Sequence, residues 1–129
     1  MKSFINENEI ATIVVDKCFL IHKKWGPGLF ESVYEEVLAY ELEKDGLYVQ
    51  KQKTIEVIYD EIKMDKGFKA DIIVENKVIL ELKAIENILP VHQKQLLTYL
   101  KLTRMKLGLL INFDVALIKN GIQRIVNNL

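Results

Sequence analysis

The sequence predicts a mixed α/β domain in which helices pack on one sheet. Two long helical stretches come first, four β-prone runs follow, and a third helix precedes a short apolar strand with a β-prone tail. The 129 residues suit a single domain over residues 1–129, long enough for a real core. Half of them are hydrophobic, which argues against a disordered chain.

Each element has its own signal. From about Asn6 to Lys24, Ile10, Ile13, Val14, Ile21 and Trp25 recur at helical spacing, and Gly26-Pro27-Gly28 stops the helix. A second helix runs from about Leu29 to Lys44 and ends at Asp45-Gly46, where glycine suits a helix C-terminus. The β-prone runs are Tyr48–Gln52, Thr54–Tyr59, Phe68–Val74 and Val78–Ile85, with Glu75-Asn76-Lys77 as the turn between the last two. Pro90 fits the first turn of a third helix reaching about Thr103. Leu107–Asn112 is a short apolar strand, and Val115–Ile118 and Ile122–Val126 are candidates for two more.

Bulk properties narrow the class. No apolar run approaches the roughly 20 residues of a membrane helix, and the start turns acidic at once, without a signal-peptide core. A lone cysteine, Cys18, allows no intrachain disulfide and falls in a helical pattern as a core residue. His22 and His92 are too far apart to suggest a structural zinc site. The expectation is a cytoplasmic, reduced protein with no membrane association. The formal net charge is zero but unevenly spread: residues 1–45 carry a net of −4 and residues 46–129 a net of +4. Charge leaves the partner open.

The strand Val78-Ile79-Leu80-Glu81-Leu82-Lys83-Ala84-Ile85 holds the main anomaly. Successive side chains alternate faces, so Glu81 and Lys83 share a face with Ile79 and Ile85, while Val78, Leu80, Leu82 and Ala84 form a wholly apolar face. Two charges mid-strand are costly unless each finds a partner or an ion. With Glu75-Asn76-Lys77 as the turn, Val74 lies opposite Val78, Ile72 opposite Leu80, and Asp71 opposite Glu81. Two carboxylates so opposed, Cβ atoms roughly 5 Å apart, repel each other. Two readings stand: a divalent cation between the carboxylates, or a structural ion cluster in which Lys83 neutralises both.

Other positions carry weaker signals. Glu31 begins a stripe continued by Tyr34, Leu38 and Leu42, with Glu35 and Glu41 near its edge; a carboxylate there also suits the helix dipole. Tyr34 alone reads as a core tyrosine with a hydrogen-bonded hydroxyl. His92, Gln95, Leu96 and Tyr99 share a face of the third helix, read either as a partly buried polar pair of His and Gln or as a Gln and a Tyr that orient a phosphate or a water. Lys51, Lys53, Lys63, Lys66 and Lys69 cluster in the strand region, either as a solvated face or along a phosphate backbone. No glycine-rich phosphate loop follows a strand, and two histidines at these positions support no nucleophilic triad.

Taken together, Gly28-x-x-Glu31-x-x-Tyr34, then Asp71, then Glu81-x-Lys83, then Gln95-x-x-x-Tyr99 resemble the GxxExxY family of the PD-(D/E)XK nuclease superfamily. Lys69-Ala70-Asp71, Leu80-Glu81-Leu82-Lys83-Ala84, Pro90-Val91-His92 and Gly108-Leu109-Leu110-Ile111-Asn112-Phe113 fit as well, so that the likeness spans roughly residues 10–115. It implies a restriction-endonuclease-like core, a central mixed sheet flanked by helices. It further implies that Asp71 and Glu81 hold Mg²⁺, with Mn²⁺ as a substitute, and that Glu31 helps complete the metal site. Lys83 would position or activate the attacking water, and Gln95 and Tyr99 would line the active site. The superfamily's proline before the aspartate is Ala70 here, at a position that varies. The function implied is a Mg²⁺-dependent nuclease acting on DNA or RNA. The alternative is a non-catalytic module of the same fold that binds nucleic acid or a protein partner.

Overall fold

The computed structural model describes residues 4–64 and 68–129. Helices α1 (Glu7–Trp25) and α2 (Glu31–Lys44) precede strands β1 (Val49–Thr54), β2 (Val57–Tyr59), β3 (Ile62–Met64), β4 (Lys69–Val74) and β5 (Val78–Lys83). Helix α3 (Pro90–Thr103), strand β6 (Leu107–Asn112), a 3₁₀ turn (Ile118–Gly121) and strand β7 (Ile122–Val126) complete the order. Five strands form one mixed sheet in the order β1-β4-β5-β6-β7. Only β5 and β6 run parallel, and α3 makes the crossover between them.

Local chemistry sets the element ends. Asn6 caps α1 reciprocally with Glu9: its Oδ1 accepts from the Glu9 N–H at 2.8 Å, and its own N–H donates to Glu9 Oε1 at 3.0 Å. Gly26, at φ +64°, ends the helix. Glu75 and Asn76 both adopt φ of 54° in the β4–β5 turn, which the Lys77 N–H closes onto the Val74 carbonyl at 3.0 Å.

Two cores sandwich the sheet. On one face α1 and α2 bury Ile10, Val14, Cys18, Tyr34 and Leu38 against Ile72, Val74, Val78, Leu80 and Leu82. On the other, Leu96, Tyr99 and Leu100 of α3 pack on Ala70, Ile73, Ile79 and Leu110. Strand β5 therefore alternates as the sequence requires, and its pairing with β4 includes Ile72↔Leu80 and Val74↔Val78. Cys18 is a core residue, and burial pushes its thiol pKa well up.

Three expectations need correction. Trp25 is exposed at the end of α1, and His22, whose Nε2 lies 2.8 Å from the Val115 carbonyl oxygen, is buried in its place. The run Thr54–Tyr59 is not one strand: Ile55 turns inward, its N–H bonded to the Phe68 carbonyl at 2.8 Å. Past that point the chain forms a separate β2–β3 hairpin, so Ile62–Met64 is a strand that the sequence reading missed. Val115–Ile118 is not a strand, because β6 and β7 are antiparallel and the chain has to reverse there.

That reversal is tight. A β-carbon on Gly121 would lie 2.1 Å from the Asn112 carbonyl oxygen, so the approach requires glycine. Gly121→Ala is expected to lower the free energy of unfolding by about 1–3 kcal/mol, read from urea denaturation; an unchanged midpoint would mean that the turn yields to a methyl group.

Candidate active site

The site lies where β4 leaves β5. Their paired register stops at Ile72↔Leu80, one step before Asp71 and Glu81. Strand β6 pairs with one edge of β5, where the Phe113 N–H bonds the Lys83 carbonyl at 2.9 Å. The N–H groups of Leu82 and Ala84 point to the opposite edge, which β4 has vacated, and so lack ladder acceptors. Two carboxylates supply them. Asp71 Oδ2 accepts from the Leu82 N–H at 2.8 Å, and Glu31 Oε2 accepts from the Ala84 N–H at 3.1 Å.

Asp71 sits at a break in its strand's alternation. Ala70 and Ile73 both pack on the α3 side, while Ile72 faces α1 and α2. Asp71 therefore does not simply share the Glu81 face, as strict alternation had it. Its carboxylate lines a cleft of about 370 Å³ with Glu31, Ser32, Glu35, Gln52 and Leu82. Its backbone N–H still reaches Glu81, donating to Oε1 at 3.3 Å.

Glu81 is only 7 % exposed. Burial first, and the negative charge of Asp71 second, push its pKa up to about 8, against weaker lowering by the Asp71 N–H and the Lys83 charge. Lys83 is half-buried, and among the described residues it forms no ion pair within 4.0 Å. The pair of acids is not closed by a side-chain cation.

Glu31 owes its position to Tyr34. The Tyr34 hydroxyl donates to the Gly26 carbonyl at 2.6 Å and accepts from the Leu29 N–H at 3.2 Å, fixing the loop that leads into α2. Its ring stacks on Phe113 with centroids 4.2 Å apart and planes 6° from parallel. Asn112, next to Phe113, holds the end of β5: its Nδ2 donates to the Ile85 carbonyl at 2.8 Å and its Oδ1 accepts from the Ile85 N–H at 3.1 Å.

From the α3 side, Tyr99 is buried edge-on to Phe68, with centroids 5.6 Å apart. Its pKa is raised, by burial first and then by the charges of Glu81 and Asp71. Gln95, one turn earlier, is exposed and makes no side-chain hydrogen bond among the described residues. His92 accepts from the Leu89 N–H through Nδ1 at 3.0 Å and belongs to the helix start. Of the basic cluster, Lys51 is held by Glu36 at 2.8 Å and Lys63 by Glu56 at 3.4 Å, while Lys66 lies outside the described residues.

Gln52 was not singled out from the sequence, and Glu35 was read only as lying near the edge of the Glu31 stripe. Gln52 Nε2 donates to Glu35 Oε1 at 2.5 Å and to Asp71 Oδ1 at 3.2 Å. Burial, more than the Asp71 charge, raises the Glu35 pKa. Glu35 follows Glu31 by one turn, a spacing that places both on one helix face; Gln52 had no comparable signal.

Among the described residues, no three His, Cys, Asp or Glu side chains stand close enough to form a ready metal cage. The donor chemistry nonetheless suits a hard cation: oxygen donors only, with repulsion between Asp71 and Glu81 that a cation would relieve. A larger groove of about 640 Å³ lies between the end of α1 and the 3₁₀ turn, lined by Phe19, Leu20 and Leu117. It lacks opposed acids, so charge rather than size identifies the smaller cleft as the site.

A mixed sheet between helical layers, with an Asp and a Glu-x-Lys where two central strands part, is the arrangement of a nuclease core. The chain belongs to the PD-(D/E)XK nuclease superfamily, whose family model matches residues 8–125. No curated protein and no solved structure matches it. Among the described residues, no helix is long and apolar enough to cross a membrane.

Two expectations follow from the geometry. Between pH about 4.5 and about 8 the folded protein keeps a proton on Glu81 that the unfolded chain has released, so stability falls as pH rises. In chelator-containing buffer the slope should approach about 1.4 kcal/mol per pH unit at most, and Glu81→Gln should flatten it; parallel urea-derived curves for the two proteins would contradict the burial of this acid. Tyr34→Phe leaves the Gly26 carbonyl and the Leu29 N–H without their partner, and should destabilise the fold by about 1–3 kcal/mol in the same assay.

Proposed function

We propose that this chain is a divalent-metal-dependent nuclease of the GxxExxY type, hydrolysing nucleic-acid phosphodiester bonds. The observation that carries the reading is the neighbouring acids Asp71 and Glu81: one is nearly buried, and no side-chain cation lies within ion-pair distance of either among the described residues. A purely structural cluster would have Lys83 closing it, and Lys83 does not. Superfamily membership supports a nucleic-acid substrate.

Asp71, Glu81 and Glu31 would hold Mg²⁺ or Mn²⁺. Such a cation, when bound, neutralises charge on the phosphoryl oxygens and lowers the pKa of a bound water. The chain's own residues do the rest. Asp71 and Glu31 are already oriented by the Leu82 and Ala84 amides, so little rearrangement precedes binding. Lys83, half-buried two residues after Glu81, carries a positive charge that stabilises the developing negative charge at the reacting phosphate and positions the attacking water. Tyr99 walls the site from the α3 side, and Gln95 lies one turn further out, where a substrate strand would pass.

The test is cleavage of DNA and RNA oligonucleotides with Mg²⁺ or Mn²⁺ and with chelator. Cleavage is expected only with the metal, and Lys83→Ala should lower the rate by about 10²–10³-fold at an unchanged melting temperature. Salt-sensitive binding without turnover under any divalent ion would favour a non-catalytic module instead.

A further inference from the structure

We propose that Gln52 is a positioning residue for this site: its side-chain amide clamps Asp71 to Glu35 and so fixes the carboxylate on which the metal chemistry depends. The inference rests on the nuclease reading of the cleft. Gln52 stands opposite Asp71 in the β1–β4 ladder, between the pairs Lys51↔Ile72 and Lys53↔Ala70. Those flanking pairs are regular. Gln52 itself has φ of +49°, the left-handed region, in the middle of a strand. A non-glycine residue is strained there and persists only where its surroundings hold it, typically at functional sites. What holds it here is the pair of acids.

One amide nitrogen carries two hydrogens, and Gln52 gives them to two different carboxylates, Glu35 Oε1 at 2.5 Å and Asp71 Oδ1 at 3.2 Å. The reversed amide would aim its oxygen at both acids and repel them, so the orientation is fixed. Asp71 is then held at both oxygens, Oδ1 by β1 and Oδ2 by the Leu82 N–H of β5. The plane of its carboxylate is set by two strands. Glu35 extends the clamp to α2, the helix that brings Glu31 to the cleft.

An amide is suited to this task because it is neutral. A lysine at this place would bind both acids but would also supply the charge reserved for a cation. A glutamate would add a third repelling group. Gln52 holds the acids together and leaves the cleft negative. Lys51, the neighbouring cation, is turned away to Glu36.

The experiment has a metal-free arm and a metal arm. In the metal-free protein, exchange of the Leu82 amide hydrogen reports how firmly Asp71 Oδ2 is held. Gln52→Ala should speed it by about tenfold, the weight of one hydrogen bond to a charged group, at an unchanged melting temperature. Unaltered exchange overturns the clamp. In the second arm, Mn²⁺ is titrated calorimetrically into the wild type, Gln52→Ala, Gln52→Lys and Asp71→Asn. Gln52→Ala should weaken binding by about tenfold or more, as for other groups that orient metal ligands, and Gln52→Lys should abolish it while the protein stays folded. Equal affinity in the wild type and Gln52→Ala, with Asp71→Asn silent, would overturn the positioning role and leave the nuclease reading standing. Absence of Mn²⁺ binding in the wild type, with Leu82 exchange still raised in Gln52→Ala, would overturn the metal reading itself and reduce the clamp to a structural one.

Discussion

The parting of β4 from β5 after Ile72 is the constraint on which the rest of the site depends. A sheet that stayed paired would satisfy Leu82 and Ala84 with backbone carbonyls and leave no room for a cleft. Because the strands separate, two N–H groups lose their ladder acceptors, and the protein supplies carboxylates from β4 and α2. One structural requirement thereby draws Asp71 and Glu31 to the same strand edge. Asp71 Oδ2 and Glu31 Oε2 thereby serve the fold as backbone acceptors.

Conditions around that edge are rigid. Strand β5 is buried at every position from Val78 to Leu82 and pressed between two cores, so the backbone that carries Glu81 and Lys83 has little freedom. Glu81 is destabilised in that setting by desolvation and by Asp71. A valine in its place would meet neither cost.

Much of this was legible in the sequence, for physical reasons. Apolar matching alone aligned Val74 with Val78 and Ile72 with Leu80, since a one-residue slip would have mixed the faces. Pro90 and Gly26 marked helix ends because their backbones allow little else there. Glu81 and Lys83 stood out as charges inside an apolar run. What alternation does not encode is where two strands separate, so the seam position of Asp71 was not legible, nor was the left-handed backbone of Gln52. The β2–β3 hairpin was missed because Ile55 interrupts a continuous β-prone run by turning inward. The pairing of Lys51 with Glu36 and Lys63 with Glu56 depends on tertiary approach that one-dimensional charge counting does not contain.

The stacking of Tyr34 on Phe113 also orders events during synthesis. All four residues of the acid-and-lysine set, Glu31, Asp71, Glu81 and Lys83, leave the ribosome before Phe113 does. Until β6 emerges, β5 lacks its parallel neighbour, the ring of Tyr34 lacks its platform, and Asn112 is not there to tie down Ile85. The acids and the lysine thus emerge unassembled, and the cleft takes shape only once β6 is free to pair with β5.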